Sequence, residues 1–234
     1  MNALSVGELS ANIGFFGPTS SLSPFVSRDA LPVFDEPLSN VDAKVRKVLR
    51  RYIRELKEEK QFAGIYVTHD QEEAMELADT LAIMNEGKIQ QIGAPRYIYE
   101  NPCSLAVADF IGEVNRFRGA VVQNDGETFS VETAIGTVSI DRRHAAGKVN
   151  VGDEGWVVVR PEDVLLVPTA AASADSYSGV SSSIAFVGSK SELVASVGGE
   201  SVTAWTSEKE ARLPAAGSLV VMTFRKRAAR WLIS

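Results

Sequence analysis

One cysteine, two histidines and no long apolar run set the first limits on this sequence. A lone thiol, Cys103, cannot build an intramolecular disulfide framework. It fits a reducing compartment and reads as a small buried or half-buried residue. No stretch approaches about eighteen consecutive apolar residues, so nothing reads as a membrane-spanning helix. The first thirty residues have no basic leader, and Gly14, Gly17 and Pro18 break their apolar runs, which argues against a secretory signal. A surplus of positive charge is missing too. The net charge of −6 and pI near 5.1 speak against a nucleic-acid surface, which would carry a basic stripe. A cytoplasmic protein is the expectation.

What the sequence does have is apolar mass in two patterns. With 234 residues, 45% of them hydrophobic, it can bury one substantial core or two modest ones. Residues 1–29 are rich in Ser, Gly and Pro without a sustained period, and read as disordered or as structure borrowed from a partner. Residues 30–115 alternate short apolar strands with amphipathic helices, the pattern of an α/β layer. Ala30–Phe34 and Phe62–Val67 read as buried parallel strands. Between them Val41, Val45, Val48, Leu49, Tyr52, Ile53 and Leu56 recur at helical spacing, with Lys, Arg and Glu on the other face. Thr68-His69-Asp70-Gln71 reads as a capping box opening a second helix. Asn85-Glu86-Gly87 marks a hairpin. From residue 116 to 234, short strands separated by Asn124-Asp125-Gly126, Gly152-Asp153-Glu154-Gly155 and Gly198-Gly199 read as an all-β barrel or sandwich. Ala170–Ser183, low in charge, reads as a long loop within it. His144 is expected on the surface, and Trp156, Trp205 and Trp231 in the core.

Two segments carry chemistry. In Val33-Phe34-Asp35-Glu36-Pro37-Leu38-Ser39-Asn40-Val41-Asp42 an apolar strand delivers two adjacent carboxylates to its C-terminal end, where open α/β sheets bind ligands. One carboxylate can hold Mg²⁺ directly or through water while the other polarises an attacking water. Taken alone, Asp-Glu-Pro reads first as an acidic turn before a helix, with Pro37 ending the strand. In Ile65-Tyr66-Val67-Thr68-His69-Asp70-Gln71-Glu72-Glu73 a second strand delivers a histidine to the same edge. That histidine is a simple cap or a group that contacts phosphate and orients water.

Together the segments resemble a known family. Asp35-Glu36-Pro37-Leu38-Ser39-Asn40-Val41-Asp42 is similar to the Walker B motif and D-loop of ABC transporter ATPases, and Tyr66 to Pro95 to their switch-histidine region. The likeness continues through Asp109-Phe110-Ile111-Gly112-Glu113. It points to the importer group containing the maltose, polyamine, ferric-iron and sulfate ATPases. Residues 116–234, with Arg160-Pro161-Glu162-Asp163, resemble the TOBE domain of that group. The resemblance implies a partial P-loop NTPase domain of α/β class followed by an OB-like all-β domain. It also implies ATP and Mg²⁺ as cofactors. Asp35 would reach the metal through water, Glu36 would be the catalytic base, Asp42 would sit in the D-loop that communicates across a dimer, and His69 would be the γ-phosphate switch. The implied partners are a second ATPase chain, identical or not, and membrane permease subunits at the inner face of the cell membrane. No nucleic acid is implied.

The sequence also departs from the family. A P-loop needs G-x-x-x-x-G-K-[ST], and the two Gly-Lys pairs, Gly87-Lys88 and Gly147-Lys148, satisfy neither end of that pattern. Leu4-Ser5-Val6-Gly7-Glu8 only superficially matches the LSGGQ signature. Pro32 is unusual in a central strand because it removes a ladder hydrogen bond. The expectation is therefore an ATPase subunit that is inactive alone. The alternative is a non-catalytic regulatory or subunit-interaction module derived from one. A third reading takes the β domain as an oxyanion or small-ligand sensor.

Overall fold

The computed structural model describes residues 11–16, 32–60, 62–145, 147–173, 175–207 and 214–233, of which 11–16 are described by backbone alone. The signature-like Leu4–Glu8 segment and the start of the Ala30–Phe34 strand lie outside them. The chain divides into two units, Met1–Gly112 and Glu113–Ser234.

In the first unit, β1 (Ala11–Phe16) and β2 (Val33–Asp35) precede α1 (Ala43–Lys60), followed by β3 (Gly64–Thr68), α2 (Gln71–Leu77), β4 (Thr80–Asn85), β5 (Lys88–Gly93), α3 (Pro95–Glu100) and α4 (Leu105–Ile111). The strands form one sheet in the order β2-β3-β1-β4-β5. β2 runs parallel to β3, whereas β1 lies antiparallel between β3 and β4. Six residues of the N-terminal zone thus complete the middle of a sheet. Each helix end follows its sequence. Asp42 accepts hydrogen bonds from the N–H groups of Lys44 and Val45 at the start of α1, Pro95 opens α3, and Ser104 caps α4. The β4–β5 hairpin turns through Glu86 and Gly87, both at positive φ, as its Glu-Gly pair requires. Ala74, Leu81, Ile83, Ile98, Val107 and Ile111 close a core between α2, β4, α3 and α4.

Three features of this unit differ from the sequence reading. Asp70, not Thr68, caps α2, taking the Glu73 N–H. Thr68 instead accepts the Asp70 N–H and donates to Glu73. On α1, Val45, Val48 and Tyr52 are exposed while Arg50, on the face expected in solvent, is 6% exposed. Leu49, Ile53 and Leu56 of the expected face are half-buried, and carboxylates on and before α2 draw the arginines in beside them. Cys103, expected to be covered, is exposed, with its thiol donating to the Gln90 carbonyl.

The second unit is built from β6 (Asn115–Asn124), β7 (Thr128–Thr133), β8 (Gly136–Asp141), β9 (Glu154–Val159), β10 (Val164–Val167), β11 (Ser176–Phe186), β12 (Ser191–Val197), β13 (Glu200–Thr206), β14 (Leu219–Phe224) and β15 (Arg230–Ile233). They make two five-stranded antiparallel sheets, β15-β9-β6-β7-β8 and β10-β14-β11-β12-β13. Alternating residues from both sheets, among them Phe117, Phe129, Val157, Leu193, Met222 and Trp231, share one continuous core. Buried Asn115 ties the sheets together, donating to the Thr203 carbonyl and accepting its N–H. The Asp125 carboxylate accepts the Glu127 and Thr128 N–H groups, and Gly126 takes positive φ in the turn read from the sequence.

The loop expected at Ala170–Ser183 gives way to strand β11 from Ser176 onward. Its small residues are what the sheet needs there: Gly179 and Ser181 face inward between β12 and β14, and a Cβ on Gly179 would lie 2.3 Å from the Ser196 carbonyl oxygen. Ser181 donates to the Ala215 carbonyl, so its hydroxyl is satisfied while buried. His144, expected on the surface, is half-buried, and burial pushes its pKa down. Trp231 is fully buried, while Trp156 and Trp205 are half-covered.

The β12–β13 turn yields a test. Gly198 and Gly199 both take positive φ, but only at Gly198 does a Cβ collide, 1.9 Å from the Ala134 carbonyl oxygen. Gly199→Ala should cost about 1 kcal/mol from backbone conformation alone. Gly198→Ala should cost about 3 kcal/mol, because β7 or its turn must move as well. Urea unfolding of both variants, followed by tryptophan fluorescence, checks the order.

Candidate functional site

The two segments singled out in the sequence meet at one edge of the first sheet. Parallel pairing sets Val33 opposite Ile65 and Asp35 opposite Val67, so both strands release their chains on the same side. The Glu36 N–H continues the ladder to the Val67 carbonyl at 2.8 Å. Glu36 then adopts φ 44°, a left-handed conformation that costs a non-glycine residue about 1 kcal/mol. In that conformation its Oε1 lies 2.9 Å from Nδ1 of His69. The Glu36 hydrogen bond and charge raise the imidazole pKa above its ordinary value, with smaller contributions from Asp70 and Glu73. The pair is charged below that raised pKa and weakens as pH rises through it. Both side chains are exposed, so its role is orientation more than stability.

Asp35 sits beside this pair, exposed at the end of β2. Asp42 does not join it: its carboxylate is taken up in capping α1. Glu36 and His69 are therefore brought into contact, Asp35 is their neighbour along the chain, and Asp42 stands at the helix that follows.

Beneath the edge lies a charged seam that the sequence reading missed. Arg50, buried on α1, meets Glu72 at 2.8 Å, Glu76 at 3.0 Å and Asp70 at 3.9 Å. Burial works against its charge, yet the Glu72 hydrogen bond and the three carboxylates outweigh it and raise its pKa. Arg46 pairs with Asp70 at 2.9 Å. Buried Glu73 accepts from the Tyr66 hydroxyl at 3.0 Å and the Thr68 hydroxyl at 2.9 Å. Burial, with Glu73 beside it, pushes the Tyr66 pKa up. Lys57 bonds Asp79 at the far end. This seam explains why the arginine face of α1 turns inward. The available signal was the i, i+4 pair Arg46 and Arg50 set against the acidic run from Asp70 to Glu76.

A hollow of about 380 Å³, lined by Ala43, Arg46, Arg50, His69, Asp70, Gln71 and Glu72, opens beside the edge. Its cations are already neutralised by carboxylates, so it offers little attraction to a polyphosphate. Among the described residues no cluster of three or more His, Cys, Asp or Glu could hold a metal. Asp35 can hold a Mg²⁺ through water, with phosphate and further water as the ion's own ligands, the usual arrangement for that ion. The residues present fit the metal-and-water end of a nucleotide and do not fit its phosphate-gripping end.

Arg50→Leu should destabilise the first unit by about 2 kcal/mol, since it leaves Asp70, Glu72 and Glu76 crowded without their cation. Far-UV circular dichroism during urea unfolding reports it, because all four α-helices of the described residues lie in this unit.

Comparison with known proteins follows the same division. The family model for the TOBE domain matches residues 157–232. The sulfate/thiosulfate import ATP-binding protein CysA of Bacillus cereus is 42% identical over 58% of this chain and 36% of its own length. The spermidine/putrescine import ATP-binding protein PotA of Nitrosomonas europaea is 31% identical over 89% of this chain and 59% of its own. The Fe(3+) ions import ATP-binding protein FbpC 1 of Rhizobium meliloti is 38% identical over 67% of this chain and 42% of its own. The chain thus spans between about a third and three fifths of the length of these relatives. A molybdate-bound structure of the cytoplasmic molybdate-binding protein ModG overlaps 51% of this chain and 96% of that one, at 16% identity and a TM-score of 0.44. The α/β edge and the β domain that follows it in sequence are homologous to the C-terminal part of the ATP-binding subunits of bacterial ABC importers.

Proposed function

We propose that this chain supplies the hydrolysis-and-switch edge, together with the β domain, of an ATP-hydrolysing import subunit. The grip on the triphosphate comes from outside these 234 residues. The 2.9 Å contact between Glu36 and His69, at the C-terminal ends of two parallel strands, carries the reading. A Mg²⁺-nucleotide, when bound, brings the phosphoanhydride bond to be broken and the metal that neutralises its charge. Asp35 holds that metal through water. Glu36 takes the proton of the attacking water on its carboxylate, and His69 orients Glu36 and presents its free Nε2 to the terminal phosphate. Asp42 fixes the loop after β2 on α1, where a partner ATPase chain would meet it.

In this role the chain works as a dimer or with a partner ATPase chain, on permease subunits at the inner face of the membrane. Among the described residues no helix is long and apolar enough to cross a membrane. A second reading, a regulatory or subunit-interaction module without catalysis, draws support from the continuous core of the second unit beside the missing phosphate-binding loop.

Mixing the chain with the P-loop- and signature-bearing part of a relative such as CysA separates the two. The enzymatic reading predicts ATP hydrolysis only in the mixture, falling on the order of 100-fold or more with Glu36→Gln. Full activity in the Glu36→Gln mixture would show that Glu36 is not the base. A mixture that assembles but never hydrolyses ATP supports the module.

A further inference from the structure

We propose that Arg46 is a positioning residue: its guanidinium locks the loop after β2 to the cap of α2 and so holds His69 against Glu36. The inference rests on the Glu36–His69 reading above and adds to it the device that maintains the contact.

The contacts form a closed circuit. From Glu36 the chain makes two successive turns, with the Ser39 N–H bonded to the Glu36 carbonyl at 3.2 Å and the Val41 N–H to the Leu38 carbonyl at 3.2 Å. The Val41 carbonyl that emerges is held by Arg46 Nη2 at 3.0 Å. Nη1 of the same guanidinium donates to Asp70 Oδ2 at 2.9 Å. Asp70 uses its other oxygen to cap α2 through the Glu73 N–H at 3.1 Å. His69 directly precedes Asp70 and returns the circuit to Glu36. Arg46 is the only side chain among the described residues that the structure bonds to both the loop carbonyl and the cap.

A planar fork is required for this task. Val41 and Asp70 present acceptors in two fixed directions, which a guanidinium can meet at once and a flexible ammonium cannot. The cap responds in kind. Burial alone would raise the Asp70 pKa, but the Glu73 N–H and the Arg46 hydrogen bond hold its carboxyl below the usual range. Arg50 and Arg54 reach α2 carboxylates without touching the loop, so they belong to the seam and not to the circuit.

Electrostatics and geometry predict opposite outcomes for the imidazole, which makes the inference testable. The charged groups facing His69 are Glu36 from the loop and Asp70 and Glu73 from α2. Removing the Arg46 charge frees the field of Asp70 and Glu73, which by itself raises the His69 pKa. Loss of position breaks the Glu36 contact, which lowers it.

The experiment is a proton-NMR titration of the full chain. With only two histidines, His144 in the second unit serves as internal reference and as a check on folding. Arg46→Gln should move the His69 pKa down toward the ordinary imidazole value, as Glu36→Gln does, and the double variant should go no lower than Glu36→Gln alone. Arg46→Lys, which keeps the charge and loses the fork, should also lower it, so that its shift reports geometry. Arg54→Gln should leave it in place. If Glu36→Gln lowers the His69 pKa while Arg46→Gln and Arg46→Lys raise it or leave it unchanged, Arg46 does not position the pair. If Glu36→Gln itself moves nothing, the Glu36–His69 contact fails and takes the inference with it.

Discussion

Paired guanidinium and carboxylate groups between α1 and α2 are the constraint on which the candidate site depends. A short helix of seven residues has little stability of its own. α2 stays in place because its cap and the carboxylates of Glu72 and Glu76 are engaged by arginines from a helix of eighteen residues. Ala74 and Leu77, on its opposite face, are buried. His69 sits at the point where the strand hands over to this helix, so its direction is set by the same interactions. A buried arginine is expensive unless surrounded by acceptors, and here three carboxylates surround it. The arrangement gives a rigid site at the cost of cations that could otherwise have attracted phosphate.

That trade divides the chemistry of the edge. Carboxylates and an imidazole at the end of parallel strands are groups suited to a proton and a metal-bound water, and two of them, Glu36 and His69, are in contact. Binding a triphosphate is a different task, for which backbone N–H groups in a glycine-rich loop and a free lysine are the usual means. Nothing in the hollow beside His69 supplies them. The β1 strand adds a second consideration. It lies between β3 and β4 against the direction of both, so the middle of the sheet is occupied by a segment whose chain direction is reversed.

Much of this was legible in the sequence because the informative elements are local. The strand–histidine segment, the Glu86-Gly87 hairpin and the Asn124-Asp125-Gly126 turn each depend on a few neighbouring residues and are found where their pattern placed them, whereas the strand before the carboxylates, read as buried, is exposed from Val33 to Asp35. Ile53 on the expected face of α1 does pack on Tyr66 and Leu77, but the arginines beside it were not legible. Helical periodicity ranks Val45, Val48 and Tyr52 as the inner face by hydrophobicity, whereas the partner that α1 meets is acidic and selects Arg46 and Arg50 instead. Strand β11 escaped for a similar reason: its serines and glycine have weak strand propensity and are held by β12 and β14 on either side. The cap of α2 moved from Thr68 to Asp70 because the Thr68 hydroxyl is taken up by Glu73 and the Asp70 N–H, leaving the Asp70 carboxylate to accept the Glu73 N–H.

The central claim is that these residues form a hydrolysis edge without a nucleotide grip. Isothermal titration of the isolated chain with Mg-ATP tests it most directly. The account predicts no saturable binding in the micromolar range, and none for Mg²⁺ alone. Micromolar affinity for Mg-ATP, abolished by substitutions at Asp35 or His69, would contradict it by showing that the triphosphate is held by this chain itself.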